Sequence, residues 1–229
     1  MAYDGVLNLD KPPGLTSARA VDRIKRVLSG GTKVGHAGTL DPFATGVLLV
    51  LIGKATKWSQ KLMDQPKEYL ATVKLGATTE TDDPESPESL YPNAAEPARD
   101  RIEKAVSTMI GTLLQRPPAF SAMKVAGRRA YKLARGGKPV ELEARPVRID
   151  AIEILDWHWP LLKLRIACGR GTYIRAIARD LGEALQTGGY LTQLRRTRIG
   201  RFTAAEAIPL DQLSAASIGK LLHSLDAPL

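Results

Sequence analysis

The chain has 229 residues, 44% of them hydrophobic and 25% charged, with a formal net charge of +9 and one cysteine, Cys168. This composition excludes a disordered chain, and the lone cysteine excludes an intramolecular disulfide and any cysteine-built zinc or iron–sulfur site. No apolar run approaches the roughly 20 residues that cross a bilayer, and Met1–Gly5 lacks the order of a secretory signal, so a soluble cytoplasmic protein is expected.

Val6–Leu9 reads as a short strand leading into the turn Lys11-Pro12-Pro13-Gly14. Ser17 can cap a helix running to Leu28 with Ala20, Val21, Ile24, Val27 and Leu28 as its apolar stripe. Residues 33–46 hold glycines and a proline among His, Thr and Asp, which predicts a loop carrying chemistry. Val47–Ile52 is a continuous apolar run best read as a buried strand, followed by a helix over 54–63. Glu68–Leu75 alternates, with Tyr69, Ala71 and Val73 on one face.

The acidic, proline-rich stretch 76–100 reads as a surface loop or insertion. Asp100 can cap a helix bearing Ile102, Val106, Met109 and Ile110, and a short basic helix is expected around Arg128–Arg135. Val147–Leu155 and Leu161–Cys168 are two strands, the second placing Leu162, Leu164, Ile166 and Cys168 on one face. From Thr172 to Leu185, Ile174, Ile177, Ala178, Leu181 and Leu185 follow helical spacing. Arg175 and Arg179 lie four apart, so they project from one side of the first turns. Arg175 sits near that helix's positive end, where an arginine is locally unfavourable and calls for an anionic partner. The mixture argues for an α/β or α+β fold, with the number of domains open.

Charge is segregated. Residues 115–148 carry nine Lys/Arg against two acids, and 170–201 carry seven Arg against two; residues 80–103 carry eight acids against two bases. Basic blocks suit a polyanionic partner, because each cation placed on a phosphate releases a counterion. A solvated basic surface would look the same. Three widely spaced histidines give no metal-ligand set, and no phosphate-binding loop or serine elbow is present. Carboxylate, tyrosine and arginine chemistry is left. Asp41 stands before Pro42, which holds its backbone extended, and glycines on either side allow close approach of another chain. A turn-forming aspartate would fit that spacing as well as a functional one.

Further stretches accompany it: Leu9-Asp10-Lys11-Pro12-Pro13-Gly14-Leu15-Thr16-Ser17, His36 to Gly46, Gly53-Lys54-Ala55-Thr56-Lys57, Lys67-Glu68-Tyr69, Pro117 to Lys124, Tyr131-Lys132-Leu133-Ala134-Arg135, Gly171-Thr172-Tyr173-Ile174-Arg175 and Leu194-Arg195-Arg196. In this order they resemble the bacterial tRNA pseudouridine-55 synthases, the TruB-type pseudouridine synthase family, from residue 5 to about 203. The resemblance implies a catalytic fold on a central, largely antiparallel mixed sheet flanked by helices and loops. It implies isomerisation of uridine 55 in the TΨC loop of tRNA; no cofactor, metal, membrane or obligate protein partner is expected, and the chain is expected to be a monomer.

By the same resemblance Asp41 is the catalytic aspartate, Tyr69 stacks on the base and takes part in proton transfer, and Arg175 pairs with the catalytic carboxylate. His36, Tyr173 and Leu194 line the pocket of the flipped-out nucleotide. Lys11, Lys124, Arg128, Arg129, Lys132, Arg195 and Arg196 are RNA-facing or structural. An arginine beside Asp41 would hold its carboxyl ionised at neutral pH, and stacking on Tyr69 would offset part of the cost of extruding the base. Attack by Asp41 on C1′ or on C6 of the ring are both open.

Two departures stand out. The family's Asp-x-x-Gly pattern is replaced by Thr81-Asp82-Asp83-Pro84-Glu85, where Asp82 is expected to fill the acidic position behind the site. Longer relatives continue into a small C-terminal RNA-binding domain. The residues after Ile208-Pro209-Leu210 leave no room for it, so one catalytic domain over 1–229, with its loop or insertion near 76–99, is expected to carry the RNA affinity alone, whether the form is naturally short or truncated. The rival readings are a pseudouridine synthase for another RNA site, a non-catalytic tRNA-folding factor and a basic ribosome-associated protein.

Overall fold

In the computed structural model, which describes residues 3–28, 31–121, 124–125, 128–129 and 142–224, the chain begins with strand β1 (Gly5–Lys11), paired antiparallel to β3 (Thr45–Ile52). Both strands are buried along nearly their whole length, β3 as expected of a continuous apolar run and β1 with Asn8 and Lys11 buried among its apolar residues. The fold is mixed α/β, with a central, largely antiparallel sheet flanked by helices.

The chain forms two compact units, residues 1–70 with 194–229, and residues 71–193. Strands β4 (Lys67–Leu75) and β12 (Gly189–Ile199) each contain one of the boundaries.

In the first unit β1 also pairs with β14 (Ile208–Pro209) in parallel and β15 (Leu222–His223) antiparallel. Strand β2 (Val34–Ala37) runs antiparallel to β3, so the segment expected as a loop over 33–46 is a strand in its first third. The C-terminal part of β12 lies parallel to β3, with Arg195 opposite Thr45 and Arg196 opposite Gly46. Val6, Ala37, Val47, Leu49, Leu51, Ala55, Leu62, Ile199 and Phe202 form one apolar cluster.

Helix α1 (Ser17–Leu28) ends where expected and buries Ala20, Val21, Ile24 and Leu28 of the predicted stripe, while Val27 is only partly buried. Its cap is Thr16 rather than Ser17: Thr16 Oγ1 accepts the Arg19 N–H at 3.1 Å, while Ser17 turns inward. The helix expected over 54–63 is a 3-10 turn, Gly53–Trp58, followed by α2 (Ser59–Met63).

In the second unit β10 (Arg145–His158) pairs antiparallel with β11 (Leu161–Cys168) and with β7 (Gly111–Gln115). On β11 the residues Leu162, Leu164, Ile166 and Cys168 are buried and alternate with exposed neighbours, following the predicted face. Within the acidic stretch expected as a loop, β5 (Ala77–Thr79) pairs with β6 (Glu88–Leu90). Helix α3 (Arg99–Thr108) starts without a side-chain cap, so Asp100 lies inside its first turn instead of capping it.

Lys124-Val125 and Arg128-Arg129 form a two-residue ladder, β8 with β9. The basic helix expected from Arg128 therefore does not begin there, and its remainder lies outside the described residues. Helix α4 (Ile174–Leu185) buries the whole predicted stripe. Its Gly182 lies so close to the returning chain that a β-carbon would meet the Gly188 carbonyl carbon at 2.2 Å.

Candidate active site

Asp41 sits, half-buried, on the loop between β2 and β3, and buried polar side chains fix that loop from several sides. Lys11 ends β1 and is 0% exposed. Its ammonium donates to the carbonyls of Leu15 at 2.7 Å, Pro12 at 2.9 Å and Pro42 at 3.1 Å. Gly14 N–H meets the same Pro42 carbonyl at 2.9 Å. Ser17 Oγ donates to the Leu40 carbonyl at 3.1 Å and accepts the Leu40 N–H at 2.9 Å. The loop turns on itself through Ala44 N–H to the Asp41 carbonyl, 3.1 Å.

The other brace is Arg196 on β12, 1% exposed. Its guanidinium donates to the carbonyls of Val47 at 2.7 Å, Gly38 at 3.1 Å and Thr39 at 3.4 Å. A buried cation must have its donors satisfied, and here backbone carbonyls around Asp41 serve. Gly46, with φ +97°, is the point of contact: a β-carbon there would lie 2.2 Å from the Arg196 carbonyl oxygen. Lys11 and Arg196, expected as RNA-facing or structural, are thus both inside. Arg195 instead reaches both carboxylate oxygens of Asp10, at 3.1 and 2.9 Å.

His36, on β2 in the same unit, is held below its usual pKa by burial and, second, by the charge of Arg196. Its imidazole is neutral at pH 7. Its Nδ1 is buried without a hydrogen-bond partner among the described residues. Tyr69 and Leu194 are each 7% exposed.

Arg175 belongs to the second unit, in the first turn of α4. It donates to Asp83 Oδ2 at 3.0 Å and to the carbonyls of Thr81 and Phe120, both at 2.9 Å. The other oxygen of Asp83 accepts the Thr81 hydroxyl at 2.5 Å and the Glu85 N–H at 2.9 Å. The buried acid against Arg175 is Asp83, one residue beyond Asp82, the residue expected to fill the family's acidic position. Asp82 faces Arg179 at 3.2 Å, with φ +57°.

Arg175, at the helix start, finds the anionic partner that its position called for, and Arg179, one turn on, finds Asp82 and Asp180. Tyr173 precedes α4, its N–H and carbonyl both held by the Gln115 side chain. Gln115 is a brace that the sequence did not single out. The side chains of Lys124, Arg128 and Arg129, and all of Lys132, lie outside the described residues. Among the described residues no group of His, Cys, Asp and Glu could hold a metal ion, and no helix is long and apolar enough to cross a membrane.

A model of the N-terminal domain of TruB family pseudouridylate synthases matches residues 25–174, and one of the tRNA pseudouridylate synthase B C-terminal domain matches residues 175–227. A tRNA pseudouridine synthase B of Mycobacterium sp. (strain KMS) is 49% identical over 226 residues, 97% of this chain and 75% of that protein. One from Bacteroides fragilis (strain YCH46) is 49% identical over 201 residues, 85% of this chain and 86% of its own.

Among solved structures, a chain of a Cbf5-Nop10-Gar1 complex superposes with a TM-score of 0.72 at 33% identity. The match covers 92% of this chain but 54% of that one, so this chain spans about half its length. A pseudouridylate synthase at 18% identity, TM-score 0.50, shares the fold, covering 97% of this chain and 75% of the other. The chain belongs to the TruB family of tRNA pseudouridine synthases.

Proposed function

We propose that this chain converts uridine 55 in the TΨC loop of tRNA to pseudouridine, with Asp41 as its catalytic carboxylate. The reaction breaks the C1′–N1 bond, turns the base and joins C1′ to C5. The C5 proton leaves and N1 gains one, so the formula is unchanged and no redox or energy-carrying group is consumed.

An ionised carboxylate serves as nucleophile at C1′ or at C6. By the family resemblance Arg175 is its positive partner, and Tyr69 stacks on the extruded base and lies in the path of its proton. The observation that carries the reading is the bracing of the Asp41 loop. Two fully buried cations and a serine spend their donors on the backbone around one half-exposed aspartate. Catalysis gains from such fixed geometry, whereas a surface turn has no use for it.

The remaining roles follow in the same reading. His36, Tyr173 and Leu194 border the flipped nucleotide, and neutral His36 offers hydrogen bonds without adding charge. The cationic blocks grip phosphates, and the shape of the stem-loop is read more than its sequence.

The test is tritium release from tRNA labelled at C5 of uridine, using the protein, its Asp41→Ala variant, and tRNA with cytidine at position 55. Release lost with either change is expected. Release that survives the cytidine substitution would move the target site. Tight tRNA binding without release would make the chain a folding factor.

A further inference from the structure

We propose that Asp82 and Arg179 are positioning residues for the reaction: an outer ion pair that keeps the 79–85 turn and the 116–120 segment in the arrangement in which both meet Arg175. The proposal rests on the reading of Arg175 given above.

Arg175 and Arg179 stand one turn apart on α4, and each reaches the same two segments. Arg175 takes the Thr81 carbonyl and the Asp83 carboxylate from the turn and the Phe120 carbonyl from the other segment. Arg179 takes the Asp82 carboxylate from the turn at 3.2 Å and the Arg116 carbonyl from the other segment at 2.8 Å. The result is a ladder of two rungs. The inner rung is buried, and the outer one is partly open to solvent.

Asp82 is the pivot. It has a left-handed backbone, its N–H meets the Thr79 carbonyl at 3.3 Å, and its own carbonyl accepts the Leu191 N–H at 3.1 Å. A non-glycine residue in that conformation is strained and persists only where surrounding contacts enforce it. The carboxylate on Arg179 is one of those contacts. If it lets go, the turn loses its outer restraint. Thr81 and Asp83, which share a single Arg175 nitrogen, are then positioned by that nitrogen and by hydrogen bonds within the turn to Thr79, Glu85 and Ser86. A displacement of about 1 Å at a catalytic group can cost on the order of a hundredfold in rate.

The pair is not explained by stability. Burial raises the Asp82 carboxyl to about 6, and the opposing charges of Arg179 and Arg175 do not offset it, while Asp180 adds repulsion. Arg179 shares its guanidinium with Asp180 and also faces Glu183. An ion pair that pays such a desolvation penalty, even when partly open to solvent, is weak evidence for a stabilising role. A geometric role accounts for it.

The experiment follows single-turnover pseudouridine formation, tRNA Kd and thermal midpoint for the full chain and for Asp82→Asn, Arg179→Gln and the double variant. Each single variant is expected to slow the reaction ten- to hundredfold at pH 7.5 with Kd within twofold. The double variant should cost no more than the worse single, and Asp82→Asn should keep or raise the midpoint. The unmodified chain should also lose rate as pH falls through about 6, and Asp82→Asn should lack that limb. Unchanged rates in both singles, or losses that simply follow a falling midpoint, overturn the proposal. An unmodified chain that releases no tritium refutes the functional reading instead.

Discussion

Replacing Gly46 by alanine tests whether the contact between β3 and β12 holds the Asp41 loop. At φ +97° an L-residue is strained, by about 1–2 kcal/mol. The larger cost is steric. The new β-carbon would sit 2.2 Å from the Arg196 carbonyl oxygen and 3.0 Å from its carbonyl carbon and nitrogen. Backbone on both sides leaves no flexible side chain to yield, so the strands must separate by about 1 Å to restore ordinary contact.

That separation also stretches the Arg196 Nε bond to Val47, 2.7 Å in the native chain, worth about 1.5–3 kcal/mol for a charged donor. Together the loss is about 3–5 kcal/mol, or about 1–3 M in the urea midpoint. Gly14→Ala is the control, since Gly14 has φ +74° with nothing within 4 Å of its would-be β-carbon. It pays the backbone strain alone, about 1–2 kcal/mol. Equal midpoints for the two variants in urea unfolding would refute the reasoning.

Lys11→Met removes a buried donor from three carbonyls and is expected to cost about 3–5 kcal/mol. The tRNA Kd of the folded fraction should not change, and a weakened Kd at unchanged stability would restore an RNA-facing role. Thr16→Ala removes the α1 cap and should cost about 1 kcal/mol with turnover intact. Ser17→Ala leaves both polar groups of Leu40 without their partner and should lower stability and single-turnover rate together.

Asp82 has a carboxyl raised from 3.8 to about 6, so the native chain binds a proton there that the unfolded chain has already released. Its favourable contribution is present below about pH 4 and lost as pH rises through 6. Asp82→Asn should therefore gain about 2–3 kcal/mol relative to the unmodified protein between pH 4.5 and 7.5, read by denaturant unfolding at the two values. Parallel pH dependences would count against the buried carboxylate.

Long periodic or continuous apolar segments were legible in the sequence. β3, β11 and α4 bury the residues that their run or spacing predicts, and α1 buries its predicted stripe except for the partly exposed Val27, because burial against neighbours is what such spacing encodes. Strand β12 was not legible. Its run Gln193-Leu194-Arg195-Arg196-Thr197-Arg198 reads as a solvated basic stretch, yet Arg196 is buried because backbone carbonyls take its protons. The β5–β6 pair was hidden by its composition, Glu88, Ser89 and Leu90 all being exposed. Between Asp82 and Asp83 no spacing rule could choose. A left-handed turn at Asp82 sends the two carboxylates to different arginines, and φ is not written in a pair of adjacent acids.

Net charge gives the least direct guide to the site. A charge of +9 with segregated basic blocks suits RNA, but the cations nearest the sequence motifs point the other way. Lys11, Lys67, Arg175 and Arg196 are all buried, and each donates to two or more backbone carbonyls. Lys67, for instance, closes α2 through the Met63 and Gln65 carbonyls at 2.7 and 2.6 Å. A buried cation holding carbonyls fixes loop geometry and adds a field that salt screens poorly. An exposed cation on a phosphate adds affinity that salt removes. The two populations therefore separate by experiment: raising salt should weaken tRNA binding steeply while leaving the single-turnover rate at saturating tRNA nearly constant. A rate at saturation that fell in step with affinity would mean that the exposed cations, and not the buried ones, organise the site.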